Sequence, residues 1–154
     1  MLKILAARPP QTPKMTILYN ELGTERQHGL KMLYVLERAG LLRLLSSERE
    51  NLKNLTTPEK IYCDNTNLMQ ALTPRANRGT ARETFFYNQV RKDHSAVFSG
   101  VGDFLVDDTW HFEVGGAGKG FGQVKDISTA YVVNDDTEIG FGNKIPLWLF
   151  GFLY

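Results

Sequence analysis

The sequence predicts a two-domain α/β protein, with a winged helix-turn-helix over residues 1–56 and a mixed-sheet α/β domain over residues 57–154. Two patterns predict this division. The first part places apolar residues three and four apart, which is typical of helices, and separates these runs by glycine. In the second part, a helical pattern comes first and several short strand patterns come after it. With 42% hydrophobic and 23% charged residues, the chain has the composition of a folded protein.

The first domain begins with two short predicted helices. Residues 1–8 show a helical pattern that Pro9 and Pro10 end, because proline disrupts a helix interior. The next helix follows from the spacing of Met15, Leu18, Tyr19 and Leu22, and Gly23 stands behind it where glycine is favoured. The sequence starts on what reads as the last turns of a helix, which indicates either a fragment of a longer protein or a short product of a longer gene.

A longer helix and a strand complete this domain. Thr24 can cap a helix over ERQHGLKMLYVLERAG, and LLRLL after it reads as a strand. This order is typical of a winged helix-turn-helix, whose third helix contacts DNA. The polar side of that helix carries the candidate nucleic-acid-binding residues Arg26, Gln27, Lys31 and Arg38. The first 50 residues hold eight basic and five acidic residues, an excess that a DNA partner or a solvated surface explains equally well.

The second predicted domain follows the polar run SSERENLKN. EKIYCDN reads as a strand, TNLMQAL as a helix that Asn65 or Thr66 can cap, and ARETFFYNQVRKD as an amphipathic helix. AVFS, GDFLV and WHFEV read as three strands, FGQVKDI as a helix and AYVVN as a further strand. A helix, three strands, a helix and a strand predict a central mixed sheet with helices against its faces.

The cellular setting follows from one cysteine and the two ends of the chain. Cys63 lies in an alternating apolar run, which predicts a buried thiol and favours a reducing, cytoplasmic compartment. The apolar segments MLKILAARPP and IPLWLFGFLY are too short to cross a bilayer. We therefore expect no membrane association, and we expect the apolar end to be buried against the protein or a partner.

Asp103 and Glu113 form the strongest candidate site in the sequence. If residues 107–109 form a hairpin loop, Val106 pairs with Trp110, and Asp103 then lies opposite Glu113. Opposed like charges destabilise a sheet by up to about 1 kcal/mol unless they are solvated or neutralised. Two neighbouring carboxylates suit Mg²⁺, which prefers oxygen ligands. The alternative is that both carboxylates simply solvate a sheet edge.

These segments resemble the layout of PD-(D/E)xK nucleases. That layout places an acidic residue on a helix, an Asp on one strand and Glu-x-Lys on the next, and here ARETFF, GDFLV and FEVGG match it in order. The resemblance implies a restriction-endonuclease-like domain in which Glu83, Asp103 and Glu113 hold Mg²⁺. In such enzymes the lysine two residues after the glutamate helps to position and polarise the attacking water.

The lysine of that layout has no counterpart at its usual position. Gly115 stands there, and Lys119 and Lys125 are the nearest candidate replacements. Losing one preorganised electrostatic contact commonly costs about 10²–10³ in rate. We therefore expect a degenerate site without robust nuclease activity. The alternative is an active Mg²⁺-dependent nuclease with a displaced lysine.

Longer phrases extend the resemblance over nearly the whole chain. LERAGLLRLL, PEKIYCDNTNLMQAL and IGFGNKIPLWLFGFLY resemble the C-terminal half of a prokaryotic AAA-type ATPase family, in which a P-loop ATPase precedes a winged helix and a nuclease-like domain of unknown function. The resemblance implies a regulatory or DNA- or protein-docking module that serves an N-terminal ATPase portion. A purely structural module that forms a homo-oligomer is the alternative.

The chain itself lacks a Walker A loop. GGAGKG is the nearest segment, and Gly120 stands where the Mg²⁺-binding hydroxyl is needed. We therefore expect no ATP binding by this chain. Whether it is an enzyme stays open at this point, and the missing lysine favours a non-catalytic role.

Overall fold

The computed structural model describes residues 1–7, 15–47 and 57–153, and it divides into two compact units, Met1–Asn77 and Arg78–Tyr154. Helices and two separate sheets make the protein a mixed α/β protein, as the sequence predicts. The predicted boundary at residue 56 differs from this division, because Lys60–Cys63 pairs with Leu42–Leu45 inside the first unit. Within the described ranges, no helix combines the length and apolarity needed to cross a membrane.

The first unit contains four helices and a two-stranded antiparallel sheet among its described residues. The elements are α1 (Leu2–Ala6), α2 (Met15–Glu21), α3 (Arg26–Arg38), β1 (Leu42–Leu45), β2 (Lys60–Cys63) and α4 (Thr66–Leu72). The predicted helices before residue 40 and the two strands are therefore present. The predicted helix stop at Pro9 and Pro10 lies outside the described residues. Leu18, Leu33 and Leu42 are fully buried in the shared core.

Glycines end α2 and α3 as the sequence predicts. Gly23 and Gly40 adopt positive φ values of 59° and 70°, a conformation that costs glycine little. Behind α2, the Thr24 N–H donates to the Tyr19 carbonyl at 3.0 Å, which closes the last turn. Both glycines therefore terminate their helices.

The helix caps were predicted with mixed success. Glu25, rather than Thr24, is the N-cap of α3, and its side chain makes no capping hydrogen bond. The prediction for α4 is confirmed, because the Asn65 side chain accepts a hydrogen bond from the Leu68 N–H at 2.9 Å. A short polar side chain just before a helix can accept from this N–H, which otherwise has no partner in the helix.

Cys63 is buried in β2. Burial raises the pKa of its thiol, and the neighbouring Asp64 charge raises it further. A thiol with a raised pKa carries little thiolate at neutral pH and is a poor nucleophile. The predicted buried structural thiol is confirmed.

The second unit is built on a five-stranded mixed sheet. Its elements are α5 (Arg78–Val90), β3 (Ala96–Phe98), β4 (Phe104–Val106), β5 (Trp110–Gly115), β6 (Ala130–Asn134), β7 (Lys144–Pro146) and a 3₁₀ helix, η1 (Leu147–Phe152). The strands lie in the order β3-β4-β5-β6-β7, with β3, β4 and β5 antiparallel and β5, β6 and β7 parallel. The predicted helix and three strands are present in the predicted order.

The segment that links β5 to β6, residues 116–129, is called the crossover below. The predicted helix over FGQVKDI is wrong, because the crossover consists of turns. The Val124 N–H donates to the Phe121 carbonyl at 2.9 Å, and the Ile127 N–H donates to the Val124 carbonyl at 3.1 Å. These bonds span three residues and not four, and glycines on both sides of Phe121 weaken any helix there.

The sheet separates α5 from the crossover. On one face, Phe86 of α5 lies with its ring centroid 5.0 Å from those of Phe104 and Phe112. On the other face, Val124 of the crossover packs against Ala130 and Val132. Because side chains alternate along a strand, the residues next to Phe112 face the crossover.

Candidate functional site

The hairpin that carries Asp103 and Glu113 has the predicted register. Val106 pairs with Trp110 across the antiparallel strands β4 and β5. Asp107 and Asp108 adopt positive φ values of 49° and 54° in the turn. Aspartate tolerates this conformation better than most residues, since its short polar side chain can form local hydrogen bonds.

Asp103 lies at a bend just before β4 and not inside the paired strand. Its N–H donates to the Phe112 carbonyl at 2.9 Å, and its Oδ2 accepts from the Val114 N–H at 2.9 Å. Extending the register places it opposite Glu113, as predicted. One carboxylate oxygen of Asp103 is therefore engaged with the backbone of β5.

Glu113 is buried in the middle of the sheet, with an exposed fraction of 1%. It lies on the strand face that is covered by the crossover, beside Val132 of β6. Its Oε1 forms an ion pair with the Nζ of Lys119. A buried charge is costly unless it is paired, so Lys119 makes the burial of this carboxylate tolerable.

Lys119 fills the space that a side chain at position 115 would need. A Cβ on Gly115 would stand 2.6 Å from both Cβ and Cγ of Lys119 and 2.9 Å from its Cδ. Cβ atoms do not approach other atoms so closely, which explains the glycine. Of the two candidate lysines, Lys119 reaches the site, while Lys125 is exposed in the crossover.

Asn134 holds the turn that carries Lys119, and the sequence analysis missed it. Its Nδ2 donates to the carbonyls of Gly116 at 2.6 Å and of Lys119 at 3.2 Å. Asn134 pairs with Gly115 in the parallel register and is only 1% exposed. A polar residue that ends the apolar run AYVV is the signal in the sequence that points to it.

Arg82 and Asp135 support the same end of the sheet. The Nε of Arg82 donates to Oδ2 of Asp135 at 2.8 Å, and this hydrogen bond is the main reason why the pKa of Asp135 is lowered. The Asp135 N–H in turn donates to the Gly115 carbonyl at 2.8 Å. The guanidinium lies 3.4 Å from the position of a Cβ on Gly116. The Arg82–Asp135 pair therefore helps to fix the start of the segment between Gly115 and Lys119.

Two arginines of α5 pair with acids that follow β6. Arg78 pairs with Asp136 at 3.3 Å, next to the pair that Arg82 forms with Asp135. The spacing of charges along a sequence does not show which distant acid a helix will face.

Glu83 is not brought together with Asp103 and Glu113. It lies on α5, whose Phe86 packs against Phe112 on the opposite face of the sheet from Glu113. In the described part of the chain, no three His, Cys, Asp or Glu side chains converge to hold a metal ion. The predicted set of three Mg²⁺ ligands therefore does not form, and the residues present do not fit that site.

The candidate nucleic-acid-binding residues of α3 are all exposed: Arg26, Gln27, Lys31 and Arg38. The same helix also borders a groove of about 470 Å³, lined mainly by apolar residues of α1 and α3, with His28 and Lys31 as its polar residues. Val35 in this groove is 62% exposed. The outer side of α3 therefore combines basic charge with exposed apolar surface.

Comparison of the chain with known proteins identified no similar protein. No family model matches the chain, and neither a curated protein nor a solved structure matches it. The resemblance to the ATPase family therefore stays a prediction.

Proposed function

We propose that the chain is a docking module of an AAA-type ATPase that contacts DNA through its first unit and carries a non-catalytic, nuclease-like second unit. The observation that carries the proposal is the exposed basic side of α3, which follows a short glycine turn and precedes the β1–β2 hairpin. A helix in this order is the one that helix-turn-helix proteins lay in the major groove.

The chemistry of the exposed residues supports DNA as the partner. Arg26, Lys31 and Arg38 carry positive charge that can neutralise backbone phosphates and release counterions. Gln27 can hydrogen-bond a base edge, with adenine as its usual target. The three basic residues thus provide affinity for any DNA sequence, and Gln27 provides recognition of a particular base.

The second unit supports a non-catalytic role. Glu113 is buried and paired with Lys119, and one oxygen of Asp103 accepts a backbone hydrogen bond. Glu83 lies on the other side of the sheet. A metal-dependent hydrolase needs ligands that converge with an open position for water, and these three acids do not supply such a set.

We expect Arg26→Ala and Lys31→Ala each to weaken DNA binding. Each change removes one phosphate contact, so the slope of log affinity against log salt should fall by roughly 1. Fluorescence anisotropy with a labelled duplex at several salt concentrations measures both quantities. Arg75→Ala is a matched control, because Arg75 is exposed in the same unit but lies outside α3. Unchanged affinity and slope in the two α3 variants would contradict the proposal.

The second candidate function is a Mg²⁺-dependent nuclease with a displaced lysine. One observation favours it, namely that Lys119 brings a cation to Glu113 although Gly115 occupies the usual lysine position. Gly115 by itself therefore does not exclude a nuclease, whereas the separation of Glu83 from Asp103 and Glu113 speaks against one.

We expect no metal-dependent cleavage of single- or double-stranded DNA or RNA by the purified chain with Mg²⁺ or Mn²⁺. The physical reason is that the three candidate acids do not converge. Gel assays of the wild type beside Glu113→Gln, Lys119→Ala and Lys125→Ala test this directly. Cleavage that the first two variants lose and Lys125→Ala retains would establish the nuclease instead.

A further inference from the structure

Five exposed apolar side chains lie near the β7 end of the second unit, and they are called the apolar patch below: Ile139, Phe141, Trp148, Leu149 and Phe152. We infer that the apolar patch is the surface through which two copies of this chain associate. The inference does not depend on the proposed contact between α3 and DNA, because it concerns the other unit and a different partner.

Both parts of the apolar patch border the outer edge of the sheet. Phe141 and Lys144 exchange two backbone hydrogen bonds, at 3.1 and 3.0 Å, so the chain turns back on itself just before β7. A Cβ on Gly140 would stand 2.7 Å from the Lys144 carbonyl oxygen and 3.1 Å from Cδ of Pro146. Residues 139–141 therefore lie along β7. The helix η1, which carries the other three side chains, begins directly after this strand.

The helix η1 has a buried side and an exposed side. Residues three apart in a 3₁₀ helix share a side. Leu147 and Phe150 are buried, and Phe150 packs against α5. Leu149 and Phe152 are exposed, and the ring of Trp148 contacts that of Phe152 with centroids 6.0 Å apart. The described residues of the chain thus cover only one side of its apolar end.

The area of the apolar patch suits a small interface. Phe141 is 88% exposed, and Trp148 and Phe152 are each more than half exposed. Aromatic side chains bury about 150–250 Å² each, so these three can remove roughly 300–500 Å² from water, and Ile139 and Leu149 add to this area. A standard interface buries about 800 Å² on each partner and is rich in aromatic residues. We therefore expect a weak, reversible dimer with a Kd of roughly 10–100 µM.

The charges around the apolar patch favour a second copy as the partner. The segments that form its surroundings, α5 and residues 135–153, carry three basic and four acidic residues: Arg78, Arg82, Lys144, Glu83, Asp135, Asp136 and Glu138. A symmetric dimer places the same surface of each copy against the other, so a large excess of one charge would oppose it. The surroundings have no such excess. They also lack the cluster of basic residues that attracts an anionic membrane.

Sedimentation equilibrium of the full chain, at concentrations below and above the expected Kd, tests the inference. We expect the average mass of the wild type to rise from that of a monomer towards that of a dimer. Phe141→Ser and Trp148→Ser should each raise the Kd by about tenfold or more. Val35→Ser is the matched control, because it removes an exposed apolar side chain of the first unit, and its Kd should equal that of the wild type. A wild type that stays monomeric, or a dimer that Phe141→Ser leaves unchanged, would overturn the inference. A dimer that Val35→Ser weakens would overturn it as well, by placing the contact on α3.

A second measurement uses only the wild type, so it does not depend on how the variants fold. Raising the salt concentration from about 0.1 to 1 M shortens the Debye length from about 10 to 3 Å and weakens contacts between charges. An apolar contact depends little on this screening, so the Kd of the dimer should change by less than about threefold. A dimer that dissociates at high salt would be held by charges and would contradict the inference. DNA binding by α3 is expected to weaken under the same conditions, which separates the two proposals.

Discussion

Replacing Lys119 by methionine is expected to lower the free energy of unfolding of the second unit by about 3 kcal/mol, the lower end of the cost of breaking a buried ion pair. Methionine keeps most of the aliphatic volume that passes over Gly115, so the loss reports mainly the missing charge. Lys119 retains partial exposure, 35% of its side chain, which is why the lower end applies. Urea unfolding followed by circular dichroism measures the change.

Two further variants separate the ion pair from a general effect of substitution. Lys125→Met changes an exposed lysine of the same crossover, and we expect a change within about 0.5 kcal/mol. Glu113→Gln combined with Lys119→Met removes both charges, so the double variant should be less destabilised than the sum of the single changes. Additive losses, or a Lys119→Met variant as stable as the wild type, would contradict the pairing.

Phe86→Ala is expected to destabilise the second unit by about 4 kcal/mol, within the range measured for removing a buried aromatic ring. Phe86 has no exposed surface, and its ring centroid lies 4.7 Å from that of Phe150 and 5.0 Å from those of Phe104 and Phe112. The substitution therefore leaves a cavity between α5, the sheet and η1. Urea unfolding of the variant measures the loss.

Phe152→Ala is the matched control for this cavity. Phe152 is 63% exposed and contacts the ring of Trp148 with centroids 6.0 Å apart, so the same substitution there should cost less than about 1 kcal/mol. A Phe86→Ala variant no less stable than Phe152→Ala would show that the aromatic cluster does not stabilise this unit.

The position of Lys119 changes how Gly115 is to be understood. From the sequence, a glycine in the Glu-x-Lys pattern indicates a lost cation, and installing a lysine there would be the natural way to restore activity. In the structure, any side chain at position 115 would collide with Lys119 and push it away from Glu113. Gly115→Lys would therefore exchange one cation for another and would not add a missing one.

Local features of this protein were predictable from its sequence. Gly23 and Gly40 end their helices, Asn65 caps α4, and the β4–β5 hairpin has the predicted pairing of Val106 with Trp110. Each depends on the conformational preference of one residue or on hydrogen bonds and side-chain alternation within a few neighbouring residues. Such interactions are encoded in short segments, so a short segment is sufficient to predict them.

Tertiary structure alone decided which distant segments meet. It paired Lys60–Cys63 with Leu42–Leu45 in the first unit, joined Arg82 to Asp135, and placed Glu83 on the opposite side of the sheet from Glu113. The sequence named Lys119 as a candidate, but only the turns of the crossover bring it to Glu113. These outcomes depend on which faces pack together and on how a buried charge is neutralised. Both are properties of the whole unit, and residue spacing along one strand or helix does not contain them.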